Sequence, residues 1–133
     1  TYAKALNCDL VIGYKHREKQ NEVASLQIIG DVKDKNVIIV DDIIDTAGTL
    51  CKAAGRIKEM GAKSVRAMCA HGLFSGAAID NIENSALEEV LVTDTVPLRR
   101  ECSKIKVVSV SKLMAEVIQA VVDDTSISSH YYV

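Results

Sequence analysis

The chain of 133 residues is long enough to bury a sizeable core in one domain. Its apolar share of 48% and charged share of 26% are ordinary for a soluble globular protein, and its net charge of −2 argues against nucleic acid or an anionic membrane as the main partner. The four cysteines are scattered with no C-x-x-C pair, and no membrane-spanning run or signal peptide is present, so we expect free thiols in a cytoplasmic protein.

The N-terminal part of the sequence predicts the end of a helix followed by two strands. The apolar run at 10–14 is typical of a strand, and the loose alternation at 23–30 favours a second one that forms an arm of a hairpin. Between them, residues 15–22 contain no apolar side chain, which predicts a mobile, solvated loop. Lys15 and Arg17 lie two residues apart, so in an extended backbone they would point to the same side.

The centre of the chain combines a short strand, an acidic tip and the start of a helix. The run at 37–40 is apolar and β-branched, as is typical of a buried strand, and the helical periodicity that begins at Leu50 stops at Gly61, a residue suited to a left-handed C-cap. Three carboxylates and a run of small or hydroxyl residues lie between the strand and the helix: Asp41, Asp42, Asp45, Thr46, Ala47, Gly48 and Thr49.

This arrangement predicts a site for a phosphorylated sugar. A helix N-terminus offers unpaired N–H groups and a partial positive charge, which favour phosphate. The small side chains of Ala47 and Gly48 let the backbone approach the anion, and the hydroxyls of Thr46 and Thr49 add donors. The carboxylates suit vicinal hydroxyls or Mg²⁺ instead. An isolated Asp near a helix start more often caps the helix, but capping uses one Asp and leaves the rest of the run unexplained.

The second half of the chain predicts strands alternating with helices. The expected elements are a strand at 64–70, a short helix at 77–85, and strands at 87–93 and 105–110. Ser111 is expected to cap a last helix, whose apolar stripe would form core or an interface: Leu113, Met114, Val117, Ile118 and Val121. The alternation, with polar residues at the carboxyl end of a strand, predicts an α/β fold with a parallel sheet.

The stretch from Val40 to Thr49 resembles the phosphoribosyl-pyrophosphate (PRPP) loop of the type I phosphoribosyltransferase fold, and in detail that of the ribose-phosphate pyrophosphokinases, or PRPP synthetases. Further matches lie at 15–17, at 71–76 and in the tail, so the resemblance spans nearly the whole chain. It implies a phosphoribosyltransferase-type parallel sheet flanked by helices, with a flexible active-site loop or hairpin arm. The implied reaction transfers the β,γ-pyrophosphoryl group of Mg-ATP to the 1-hydroxyl of ribose 5-phosphate, giving PRPP and AMP.

The resemblance also assigns roles to individual residues. Lys15 would be catalytic, and Arg17 would be catalytic and would contact ribose 5-phosphate, while the intervening His16 departs from the family's Lys-Arg-Arg form. Asp41 and Asp42 would hold the ribose hydroxyls or the metal. The remaining substrate-binding residues would hold the 5-phosphate: Asp45, Thr46, Ala47, Gly48 and Thr49.

Two further segments and the metal receive expectations in the same way. The tail residues Ser126, Ile127 and Ser128 match a regulatory site for phosphate or ADP between subunits, although taken alone this tail would be called a frayed end. His71 is expected to serve packing or the surroundings of the nucleotide rather than acid–base chemistry. Mg²⁺ is the expected cofactor, with most of its ligands outside this chain.

The family that the sequence resembles is built from two similar domains, and the resemblance is to the second. We therefore interpret residues 1–133 as a C-terminal phosphoribosyltransferase-like domain that lacks the N-terminal ATP-binding domain and is inactive alone. The family implies a homo-oligomer, a hexamer. Two alternatives stay open: a salvage phosphoribosyltransferase that consumes PRPP, and a non-catalytic regulatory subunit. The spacing of Lys15 and Arg17 and the tail favour the synthetase over the first, and the intact run from Asp41 to Thr49 argues against the second.

Overall fold

The computed structural model describes residues 2–16 and 25–130. Its elements, in chain order, are α1 (Tyr2–Ala5), β1 (Ile12–His16), β2 (Ser25–Ile29), β3 (Asn36–Ile44), α2 (Gly48–Glu59), β4 (Ser64–Gly72), α3 (Ala78–Glu83), β5 (Glu89–Thr93), β6 (Ile105–Val108) and α4 (Ser111–Val122), followed by a 3-10 turn at Ser128–His130. None of the helices in these two ranges combines the length and the apolar character needed to cross a lipid bilayer.

Strands β3 to β6 form a parallel sheet in sequence order, and this confirms the predicted α/β fold. The register places Ile39, Ala67, Val90 and Ile105 in one row across the four strands. Parallel neighbours need crossover connections, and the helices α2 and α3 supply the first two. The polar residues that follow or end these strands therefore meet at the carboxyl edge of the sheet.

The core lies between one face of this sheet and the helices α2 and α3. Helix α2 buries Leu50, Ala54 and Ile57, which recur at helical spacing, while its charged residues face outward. From the sheet, Val65 and Val90 are fully buried in the same cluster. The chain thus stabilises the strand-to-helix turn at residues 45–48 by burying the elements on both sides of it.

The opposite face of the sheet carries an exposed apolar row. Val40, Met68 and Leu91 are register partners one residue along from the buried row, and Val40 and Leu91 are 40% and 36% exposed. In α4 the predicted apolar stripe is also exposed, with Ile118 at 62% and Val121 at 65%. The stripe is therefore not core of the described residues, and its role as an interface stays a prediction.

Strands β1 and β2 form a separate antiparallel pair that runs from the Ile12–Ile29 partners to the His16–Ser25 partners. This pair is the hairpin arm expected from the sequence. The loop predicted at 15–22 begins too early, because Lys15 and His16 continue β1 and Lys15 is the register partner of Leu26. An antiparallel pair can leave one face in water, so its strands tolerate polar residues. The rest of the predicted loop, including Arg17, lies outside the described residues.

Among the predicted boundaries that move in the structure, three concern polar residues singled out from the sequence. Strand β3 runs beyond Val40 to Ile44, so Asp41 and Asp42 lie within the strand, because β3 and β4 stay paired as far as Ile44 and Gly72. For the same reason β4 includes His71. Ser111 is the first residue of α4 and not its N-cap; Val110 holds that position without a side-chain cap.

Candidate active site

The turn from β3 into α2 has a constrained backbone. Ala47 precedes the helix with φ 58° and ψ 1°, a left-handed conformation that is uncommon for a residue with a Cβ. Holding a non-glycine residue there costs on the order of 1 kcal/mol. The Ala47 side chain is nevertheless buried at 5% exposure, so packing against the core holds this strained turn in place.

The loop at 45–49 is attached to the protein through its carbonyl groups. Three of them accept hydrogen bonds: Asp45 from the Ser75 amide (3.1 Å), Thr46 from the Asn81 side chain (3.1 Å) and Ala47 from the Cys51 amide (2.9 Å). By contrast, none of the backbone amides of residues 45–49 donates a hydrogen bond to any residue in the described ranges, and the helix has no side-chain cap. These donors stand at the positive end of a 12-residue helix, which is the arrangement that binds anions.

Gly48 leaves open space at the first turn of α2. A Cβ placed on Gly48 would lie 3.9 Å from the Thr46 hydroxyl, an ordinary van der Waals distance, so packing within the described residues does not require glycine there. At Gly72, by contrast, an added Cβ would lie 2.4 Å from the ring of Phe74. The open space over Gly48 therefore suits the close approach of a ligand rather than of another side chain.

Asp41 and Asp42 lie on β3 immediately before this loop. The Asp41 carboxylate accepts the Asp42 amide at 3.0 Å, and the Asp42 carboxylate accepts the Ile43 amide at 2.8 Å, through one oxygen each. Partial burial raises the pKa of Asp41, opposed by the Asp42 amide, and the negative charge of Asp42 raises it further. Cys69 is the register partner of Asp41, and burial raises the pKa of its thiol, as do both neighbouring carboxylates. Cys69 is therefore a poorly reactive thiol beside the acidic pair, Asp41 and Asp42.

Two threonine hydroxyls at the end of β5 contact the end of β4, where His71 lies. The Nδ1 atom of His71 lies 2.8 Å from the Thr95 hydroxyl. The hydroxyls of Thr93 and Thr95 both donate to the Ala70 carbonyl, at 2.6 and 3.0 Å. Neither threonine was predicted for the site, although hydroxyl residues at the carboxyl end of a strand parallel to β3 were an available signal. His71 is exposed and has a polar contact to Thr95, and its expected role in packing or near the nucleotide stays a prediction.

The other residues predicted for the site belong to other parts of the chain. Lys15 lies on β1 in the separate two-stranded pair, and Arg17 lies outside the described residues. In the tail, the hydroxyls of Ser126 and Ser128 bond each other at 3.0 Å, and Ile127 between them is half-buried. The roles of these five residues stay predictions.

The carboxylates near the loop are too few to enclose a metal ion. Within residues 2–16 and 25–130 no group of three or more His, Cys, Asp or Glu side chains converges as a metal site. The pair Asp41 and Asp42 does fit a partial site, because Mg²⁺ is commonly held by one or two carboxylates together with phosphate oxygens and water.

Comparison with known proteins identifies the family of the chain. Residues 9–132 match the family model described as the phosphoribosyl synthetase-associated domain. The chain is 54% identical over 127 residues to the ribose-phosphate pyrophosphokinase of Campylobacter jejuni, covering 96% of this chain and 41% of that protein. It is 47% identical over 132 residues to the enzyme of the same name from Porphyromonas gingivalis, covering 99% and 42%. The chain thus spans about two fifths of these relatives.

A solved structure agrees in fold. The crystal structure of phosphoribosylpyrophosphate synthetase from Mycobacterium smegmatis superimposes with a TM-score of 0.84 at 33% sequence identity, over 92% of this chain and 40% of that one. The expected α/β architecture of a parallel sheet flanked by helices is therefore confirmed.

Proposed function

Because the chain belongs to the phosphoribosyl synthetase-associated domain family, we propose that it forms the ribose 5-phosphate-binding part of a ribose-phosphate pyrophosphokinase. The whole enzyme would transfer pyrophosphate from ATP to the 1-hydroxyl of ribose 5-phosphate, giving PRPP and AMP. The observation that carries this proposal is the loop at 45–49, whose amides are unpaired within the described residues beside two carboxylates. A salvage phosphoribosyltransferase is disfavoured, because the relatives compared over nearly the whole chain are named pyrophosphokinases.

In this proposal the loop at 45–49 binds the 5-phosphate. Its amides donate to the phosphate oxygens, and the field of α2 favours the negative charge. The hydroxyls of Thr46 and Thr49 add donors, and the open space over Gly48 admits the anion to the backbone. Because the loop carbonyls are already anchored, the amides need little rearrangement to bind.

The acidic pair would select the sugar. Within the described residues Asp41 and Asp42 each accept one backbone amide through one oxygen, and the other oxygen would accept a hydrogen bond from a ribose hydroxyl. The two residues are also the ones that would hold Mg²⁺, together with ligands from the rest of the protein. When bound, that cation would neutralise charge on the transferring phosphates.

The transfer step would need positive charge and the nucleotide. We assign Lys15, and Arg17 outside the described residues, to stabilising the charge that develops on the transferring group. The relatives are more than twice as long as this chain, and the remainder would supply the ATP site, so the 133-residue chain alone should make no PRPP. We further propose a cytoplasmic, homo-oligomeric enzyme whose Ser126, Ile127 and Ser128 take part in binding a regulatory phosphate or ADP.

The direct test is titration of the chain with ribose 5-phosphate, ribose and inorganic phosphate by calorimetry and NMR. We expect ribose 5-phosphate to bind most tightly and to shift the amides of residues 45–49. Gly48→Ala should weaken this binding by about tenfold, roughly 1.4 kcal/mol, because its methyl group takes the space of the anion. Gly55→Ala is the matched control, since Gly55 lies on the same helix with open space around it.

The outcome that would refute the assignment is equally specific. If Gly48→Ala and Gly55→Ala bind ribose 5-phosphate with equal affinity, the loop at 45–49 does not bind the phosphate. If inorganic phosphate binds as tightly as ribose 5-phosphate, Asp41 and Asp42 do not contact the sugar.

A further inference from the structure

The chain reverses direction at the end of α4. Asp123 caps the helix, and the next residue, Asp124, has φ 52° in the left-handed region. The Thr125 amide donates to the Ala120 carbonyl at 2.9 Å and the Asp124 amide to the Val121 carbonyl at 3.3 Å. This pair of bonds is a Schellman motif, here built on Asp where glycine is usual. The Thr125 hydroxyl adds a bond to the same Ala120 carbonyl, at 3.2 Å.

After the reversal the tail forms local turns and ends against the helix. The Ser128 amide donates to the Ser126 hydroxyl at 3.2 Å, and the His130 amide donates to the Ile127 carbonyl at 3.0 Å. The Nδ1 atom of His130 then lies 3.8 Å from Oε2 of Glu116. Glu116 is six residues before the end of α4, about 9 Å back along its axis.

Two basic side chains approach Glu116 in the described residues. Lys112 of the same helix approaches Oε1 at 3.8 Å, while His130 of the tail approaches Oε2. The His130 side chain is only 22% exposed, so the contact does not join two fully solvated side chains. Glu116 therefore connects the surface of the helix to the returning tail.

We propose that residues 125–130 form a strap that is held on α4 by the contact between His130 and Glu116. Residue 125 anchors one end of the strap through the Schellman motif, and His130 closes the other end. Between these points the hydroxyls of Ser126 and Ser128 are fixed in a pair. The contact between His130 and Glu116 thus determines whether the hydroxyls of Ser126 and Ser128 stay bonded to each other or are free to reorient. This inference does not depend on the proposed function, since every contact lies within α4 and the tail.

The strap is tested by NMR on the 133-residue chain, using amide exchange and heteronuclear relaxation of residues 126–130. His130→Ala and Glu116→Gln should each speed exchange there roughly two- to fivefold, the range given by a contact worth up to about 1 kcal/mol. Because both variants break the same contact, the double variant should exchange no faster than either single one. Lys112→Gln is the matched control: it removes the other partner of Glu116 and should leave the tail unchanged.

Two results would overturn the proposal. Tail amides that exchange at the random-coil rate in the parent chain would mean that no strap exists. If His130→Ala leaves amide exchange in the tail unchanged while Lys112→Gln speeds it, the contact between His130 and Glu116 does not hold the tail. The order of the tail would then come from the rest of the surface of α4. The amides of Val65 and Val90 report that the fold is intact in every variant, because both residues are fully buried.

Discussion

Replacing Gly72 by Ala should destabilise the protein severely. An added Cβ would lie 2.4 and 2.8 Å from two ring atoms of Phe74 and 2.9 Å from a methyl of Val92. The ring cannot retreat easily, because Phe74 is buried and its amide donates to the Ile44 carbonyl at 3.3 Å. Overpacking of a core costs about 1–3 kcal/mol, and three overlaps on anchored groups place this case near or above 3 kcal/mol.

Urea unfolding followed by circular dichroism measures this loss. With a slope of about 1.5 kcal/mol per molar urea, a loss of roughly 3 kcal/mol lowers the midpoint by about 2 M. Gly55→Ala serves as the control, since nothing lies within 4 Å of the added methyl and α2 should gain up to about 1 kcal/mol. In a Phe74→Leu background the cost of Gly72→Ala should fall by at least about 1 kcal/mol, because the smaller side chain frees space. A loss below about 0.5 kcal/mol, or an equal loss in both backgrounds, would refute this reasoning.

Three further perturbations test other parts of the fold. Lys104→Met should cost about 1–2 kcal/mol in urea unfolding, because the half-buried ammonium donates to two carbonyls around the end of α3. Hydrogen bonds from the Ser109 side chain and the Val110 amide hold the pKa of Asp94 below the usual range of an aspartate. The stability that this carboxylate contributes is therefore present above about pH 4 and lost as the pH falls further, so Asp94→Asn should flatten the decline of the urea midpoint below that pH. Ile38→Lys on the open sheet face should change stability by no more than about 0.5 kcal/mol and reduce the binding of a hydrophobic dye.

Much of the sheet was predictable because its strands are short apolar runs separated by helical periodicity. The predicted boundaries were wrong where strand pairing, rather than residue composition, determines where an element ends. Asp41 and Asp42 interrupt the apolar run, yet β3 continues through them because β4 remains alongside. Ser111 has the composition of a cap, but the preceding Val110 takes the capping position and donates its amide to Asp94, far away in sequence.

The candidate site, too, was predictable from the sequence only in part. The loop at 45–49 follows from local chemistry, because small residues at a strand-to-helix turn favour a tight turn whose amides have no partner in the described residues. The threonines that hold His71 come from another strand, and only the register of β4 and β5 brings them together. The reversal of the chain after α4 was not predictable either, because Asp124 adopts the left-handed conformation that glycine usually adopts at the end of a helix.

The anchoring of the loop at 45–49 has a consequence for the speed and heat of binding. Its carbonyls are bonded to Ser75, Asn81 and Cys51 before any ligand arrives, so the loop has already lost most of its conformational entropy during folding. An anion that docks there would meet a preorganised receptor and would not have to wait for a disordered segment to fold. Association should then be limited by diffusion and desolvation, and the heat-capacity change should be as small as the apolar area that a sugar phosphate buries.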